Sequence, residues 1–110
     1  MDFVKIKNEH RREALYFYEH NWRTYRDIAL QKGYFKSYQF LTTPDSPAGF
    51  DILHITEYTA SLQLKNSEQR FQEIIKIISP DGPYLLNDLK PIDFRQILYS
   101  KKLQTFFSAG

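Results

Sequence analysis

The hydrophobic pattern of this chain runs strand, long helix, strand, strand, helix, strand, and the sheet-forming stretches carry apolar residues on both of their faces. A strand with one side in water should alternate strictly between apolar and polar residues, so this pattern predicts a sheet covered on both sides. With 110 residues and no break in composition, the chain reads as one domain, residues 1–110. A domain of that size buries only about two-thirds of the surface its unfolded chain exposes, which makes self-association a common route to stability.

From Phe3 to Lys7, Val4 and Ile6 alternate with Lys5 and Lys7, the period of a short strand. Asn8 offers a side-chain oxygen to cap a following helix, and Gly33 supplies its stop, so a helix is predicted from about Asn8 to Lys32. At about 100° per residue, Ala14, Leu15, Phe17, Tyr18, Trp22, Tyr25, Ile28 and Ala29 share one arc. The other arc holds Glu13, Tyr16, Glu19, His20, Arg23, Arg26 and Asp27, with Glu19 and Arg23 spaced to pair on the wet side. Asn21 is the polar interruption in the apolar arc.

Tyr34–Thr43 and Phe50–Tyr58 read as two strands of a hairpin, joined by turn-forming residues 44–49, where Asp45 and Asp51 serve turn chemistry. A register that sets Lys36 opposite Glu57 assigns Tyr34, Lys36, Tyr38, Phe40, Leu53 and Ile55 to one face. Phe35, Ser37, Gln39, Leu41, Ile52, His54, Thr56 and Tyr58 then share the other. Phe71, Ile74, Ile75 and Ile78 mark a second helix, starting near Thr59 or Asn66 and ended by Pro80, Asp81 and Gly82. A connection from Pro83 to Pro91, with one helical turn at Tyr84–Leu89, leads to a last strand at Phe94–Tyr99. Lys101–Phe107 extends that strand or packs as a tail.

Composition narrows the function classes. The net charge of +2 is small and evenly spread, unlike the clustered Lys and Arg of a nucleic-acid surface. The absence of cysteine excludes disulfides, thiolate metal sites and cysteine nucleophiles, and fits a reducing compartment. The charged N-terminus lacks the apolar run of a signal peptide, and no segment has the ~20 apolar residues of a membrane span. A cytoplasmic protein without nucleic-acid or membrane partners is the expectation. Paired carboxylates, a Gly-rich phosphate loop and a nucleophile elbow are all missing.

A βαββαβ order closes most simply as a ferredoxin-like α+β sandwich, an antiparallel sheet with both helices on one face. The opposite face is then bare, and its apolar residues would form a patch larger than a soluble monomer tolerates. A two-fold homodimer, with the bare faces meeting as an α/β barrel, covers it.

The stretches NWRTYRDIALQKGYFKSYQF and FDILHITEYT resemble the dimeric α/β-barrel superfamily, which includes antibiotic-biosynthesis-type monooxygenases, stress-responsive barrels and NIPSNAP-like proteins. They look like its long helix, the Gly-ended turn into an aromatic strand, and the returning central strand. The resemblance covers nearly the whole chain and implies the fold and the dimer. Its haem-degrading members use an Asn, Trp and His set drawn from different elements. Here Asn21 and Trp22 are neighbours on one helix, so that set is not carried over, and no cofactor or metal is expected.

His54 lies mid-strand, where an imidazole titrating near neutrality can exchange a proton with a ligand, and the register above gives it Gln39, Ser37 and Tyr58 as neighbours. It can equally be satisfied inside a packed sheet. Asn21 needs a partner wherever it is buried, from a ligand in a helix–sheet cleft or from a strand residue or water. Trp22, Tyr18 and Tyr25 would line the same cleft. The candidate pocket is therefore Asn21, His54, Trp22, Tyr25, Gln39 and Tyr58. Three readings follow: a dimeric protein binding a small, partly apolar molecule in that cleft, a cofactor-independent monooxygenase-like enzyme acting on an aromatic substrate, or a structural module without a ligand.

Overall fold

The computed structural model describes residues 1–43 and 49–104. Of the hairpin turn predicted at 44–49, residues 44–48, with Asp45, lie outside the described residues, as do residues 105–107 of the tail predicted at 101–107. Strand β1 (Asp2–Ile6) is followed by α1 (Arg11–Phe17), a π-helical turn (Tyr18–Trp22) and α2 (Arg23–Gln31). After β2 (Ser37–Thr42) and β3 (Ile52–Glu57) come α3 (Ser61–Ile78), the single-turn α4 (Pro91–Phe94) and β4 (Arg95–Ser100). The result is an α+β fold around one four-stranded antiparallel sheet of order β2-β3-β1-β4.

The long helix starts later than Asn8. Asn8 and Glu9 take left-handed φ values of 55° and 59°, a conformation that Asn tolerates better than most residues, and the His10 N–H closes the turn on the Lys7 carbonyl at 3.0 Å. Asn8 thus reverses the chain, and the helix begins at Arg11. Its other end is as predicted: Gly33 has φ +73°, and the Tyr34 and Gly33 N–H groups fold back on the Ala29 and Leu30 carbonyls, each at 3.0 Å. Midway, the Arg23 N–H bonds the Tyr18 carbonyl five residues back. This one-residue widening is rare in helices and concentrates at functional positions.

The register of the hairpin differs from the predicted one by one residue. Ser37, and not Lys36, lies opposite Glu57, which sets Tyr38 against Thr56, Phe40 against His54 and Thr42 against Ile52. Lys36 still reaches Glu57, through its N–H on the Glu57 carbonyl at 2.7 Å and through its ammonium 3.4 Å from the carboxylate. Because side chains alternate along a strand, the slip regroups both faces. Tyr38 and Phe40 join Ile52 and His54 beneath the helices, while Gln39 and Leu41 move to the far face with Leu53 and Ile55. Gln39 is therefore exposed and away from His54.

Beneath the helices, Val4, Ile52, Tyr18 and Trp22 form one buried cluster, and Tyr25, Ala29, Phe35 and Ile74 a second that joins α2 to α3. Asp51 does more than flank a turn: its carboxylate accepts the Ile6 N–H at 2.7 Å, and its own N–H donates to Val4, tying β3 to β1. α3 starts at Ser61, between the two predicted caps. Ala60 has no side-chain acceptor, but Gln63 reaches back to the Thr59 and Ala60 N–H groups at 2.7 and 3.3 Å. Residues 84–89 hold no helical turn, since Asn87 and Asp88 are left-handed (φ 55° and 58°). In β4, Phe3 pairs with Tyr99 but Val4 with Ile97, so Leu98 is an extra residue that bulges the strand. Lys101 and Met1 then exchange backbone bonds at 2.8 and 3.0 Å, continuing the pairing past Ser100.

Candidate functional site

The widened turn between α1 and α2 turns Tyr18, Asn21 and Trp22 inward together. The three residues do different work. Asn21, 1% exposed, donates its amide to the Phe17 carbonyl at 3.0 Å and to the Tyr84 carbonyl at 2.7 Å, and accepts the Tyr84 N–H at 2.8 Å. Its hydrogen-bonding groups are thus taken up by backbone, as a buried amide requires.

His54 is 6% exposed and packs against the rings of Trp22 (5.1 Å) and Tyr18 (5.6 Å). Burial pushes its imidazole down to about 4; Asp2 pulls the value up, and Arg26 and Arg95 press it further down. With the ring neutral at pH 7, the 3.5 Å approach of Nε2 to Asp2 Oδ2 is not an ion pair. Tyr18 receives a hydrogen bond from Arg95 at 2.8 Å, and burial raises its phenol against the opposing pull of that arginine. Tyr25 is buried with its hydroxyl 2.7 Å from Ser79 Oγ.

Outside this packed layer, the helix and β2 leave a cleft of about 430 Å³ lined by Leu15, Tyr18, Glu19, Trp22, Arg23, Tyr38 and Phe40. Its walls are aromatic: Tyr18 meets Phe40 at 4.9 Å between ring centres, and Trp22 meets Tyr38 edge-on at 5.4 Å. Its mouth is polar. Arg23 donates to Glu19 at 2.7 Å across one helical turn, and the Tyr38 hydroxyl donates to Asp27. Burial, followed by the Asp27 carboxylate, raises the Tyr38 phenol.

Of the six candidate residues, only Trp22 lines this cleft. Asn21 and Tyr25 bond to other parts of the chain, His54 lies behind Tyr18 and Trp22, and Gln39 is on the far face of the sheet. Tyr58 lines a separate cavity of about 640 Å³, between the start of α3 and residues 101–104. Tyr38 and Phe40 were missed because the predicted register put them on the face opposite His54. Glu19 and Arg23 form the solvent pair that their spacing predicts, and that pair stands at the opening of the cleft. Among the described residues, no three His, Cys, Asp or Glu side chains cluster to hold a metal, and no helix is long and apolar enough to cross a membrane. Comparison with protein families, with characterised proteins and with solved structures finds no match to the chain.

Proposed function

We propose that this protein binds a small, partly apolar molecule in the cleft between its long helix and β2, as a homodimer of ferredoxin-like subunits. The observation that carries the reading is the cleft itself, with an aromatic wall, a polar mouth and a volume of about 430 Å³. That volume falls within the ~300–1,000 Å³ typical of small-molecule sites, which are mostly apolar with a few placed polar groups. The strand order β2-β3-β1-β4, antiparallel throughout, supports the ferredoxin-like arrangement. The dimer rests on the far face of the sheet, where Phe3, Leu41, Leu53, Ile55 and Tyr99 stand together. Leu41 and Tyr99 are about half exposed in the single chain, at 46% and 48%, and a second copy would remove them from water.

A monooxygenase-like activity has less support, because Asn21 and His54 are both enclosed by protein and neither lines the cleft. Trp22, the one tryptophan of the chain, reports on the cleft directly. Titrating a panel of one- and two-ring aromatic compounds while following its emission should give a saturable change for at least one of them, and the cleft-filling substitution Leu15→Phe should abolish it. No saturable change across the panel, or one that survives Leu15→Phe, would overturn the binding reading.

A further inference from the structure

Strand β2 lies at one edge of the sheet and is bonded to β3 on one side only. The Thr43 N–H donates to the Asp51 carbonyl at 3.0 Å. Backbone groups alternate in direction along a strand, so Ser37, Gln39 and Leu41 likewise turn theirs toward β3. Tyr38, Phe40 and Thr42 then point their N–H and C=O groups away from the sheet, and among the described residues none of the three makes a backbone bond outside the β2–β3 ladder. Edge strands are commonly protected by a charge, a proline or a bulge. At the opposite edge β4 has its bulge at Leu98. β2 has no such protection: it reads Ser-Tyr-Gln-Phe-Leu-Thr, uncharged and without proline, and is paired in unbroken register from Ser37 to Thr42. The cleft runs along this same edge, and Tyr38 and Phe40, two of the residues with outward backbone groups, line it.

We infer that β2 takes up an extended peptide segment of another protein as a further strand of the sheet, with one large apolar side chain of that segment in the cleft. This goes beyond the small-molecule reading and uses the same cleft. In an added strand, the residue opposite Phe40 exchanges backbone bonds with it and projects its side chain to the same face, about 5 Å away. That face is the one where Leu15, Tyr18 and Trp22 line the cleft with Phe40. Main-chain bonds along the edge supply the affinity, and the cleft selects the side chain. A free aromatic molecule would fill the cleft but leave the outward N–H and C=O groups of β2 to water. A second copy pairing at β2, in addition to the far face read above as the dimer contact, would link dimers into larger assemblies.

Three peptides test it by calorimetry: acetyl-Lys-Thr-Val-Phe-Val-Thr-Lys amide and its analogues with tryptophan or leucine at the centre. At least one should bind, roughly tenfold or more tightly than the acetyl amide of its central residue, which offers the side chain alone. Methylating the backbone nitrogen of the central residue, which faces β2, should weaken that binding roughly tenfold or more, whereas methylating the nitrogen of the next valine, which faces away, should change it less than about threefold. In the protein, Thr42→Pro removes one outward N–H without touching the β2–β3 ladder, a place where an edge strand tolerates proline. It should weaken the peptide and leave the mass in sedimentation unchanged. Equal effects of the two methyl groups, or equal affinity for the peptide and the single amino-acid amide, overturn strand addition and leave the small-molecule reading standing. Failure of all three peptides to bind overturns strand addition as well, and overturns both readings if Trp22 is also unresponsive in the aromatic panel. A fall in mass on Thr42→Pro would show that β2 pairs copies of this chain, which overturns the peptide inference.

Discussion

The side chain of Asn21 pairs in both directions with the backbone of Tyr84, donating to its carbonyl at 2.7 Å and accepting its N–H at 2.8 Å. An amide side chain thereby acts as one rung of a strand, pinning the connection between α3 and α4 to the helical turn 63 residues earlier. Asn21→Leu fills a similar volume but strands both Tyr84 groups and the Phe17 carbonyl contact. The expected loss is about 2–3 kcal/mol of stability. Urea unfolding measures it, and amide exchange at Tyr84 should accelerate in parallel. Unchanged exchange at Tyr84 would show that the connection is held by other contacts.

His54 gives the fold an acid sensitivity of known sign. Its ordinary value is 6.5, and burial lowers it to about 4 in the folded protein. Between those values the unfolded chain holds more protons than the native one, so stability is unaffected above about pH 6.5 and falls as the pH drops toward 4, by on the order of 3 kcal/mol. Carboxylates contribute in the same range, so the comparison is with His54→Leu. The wild-type protein should lose more stability between pH 7 and pH 4.5 than the variant does, and equal losses would remove His54 as the cause.

Arg26 lies with its guanidinium 3.8 Å from the centre of the Phe71 ring and 4.9 Å from that of Trp22, and burial lowers its value to about 10. No carboxylate stands within ion-pair distance of it among the described residues. The ring contacts return ~1–2 kcal/mol, less than the several kcal/mol needed to desolvate a cation. Arg26→Met should therefore leave the protein as stable or raise stability by about 1 kcal/mol. A clear drop in the denaturation midpoint would mean that the rings compensate the buried charge fully.

Ile55 pairs with Gln39 on the far face of the sheet, beside Leu53 and Phe3. If two copies meet there, Ile55→Glu introduces a like charge twice at the centre of the interface and should convert the dimer to monomer. Sedimentation equilibrium at micromolar protein decides the matter. A wild-type chain of monomeric mass would refute the covered-face reading outright.

The elements were largely legible because they depend on local chemistry. The periodicity of Val4 and Ile6, the stop at Gly33 and the Phe71–Ile78 stripe each encode their own element within a few residues. Asn8 misled because its side chain suits both a helix cap and a left-handed turn, and the contact of Lys7 with Phe94, 87 residues on, favours the turn. The widening at Tyr18–Trp22 carries no local signal. It accompanies the long-range bonds of Asn21 to Tyr84 and the packing of Tyr18 on His54.

By itself the amino-acid sequence determined the order of strands and helices, the amphipathic face of the long helix and the apolar character of both sheet faces. Only the tertiary structure decided which strand residues face the helices, because side chains alternate along a strand and a shift of one residue, from Lys36 to Ser37 opposite Glu57, exchanges the two faces of β2. That one-residue choice carries Phe40 and Tyr38 to the cleft and Gln39 away from it. Long-range contacts likewise enclose Asn21 and His54, the two polar interruptions of the pattern, Asn21 through its bonds to Tyr84 and His54 through its packing on Tyr18 and Trp22.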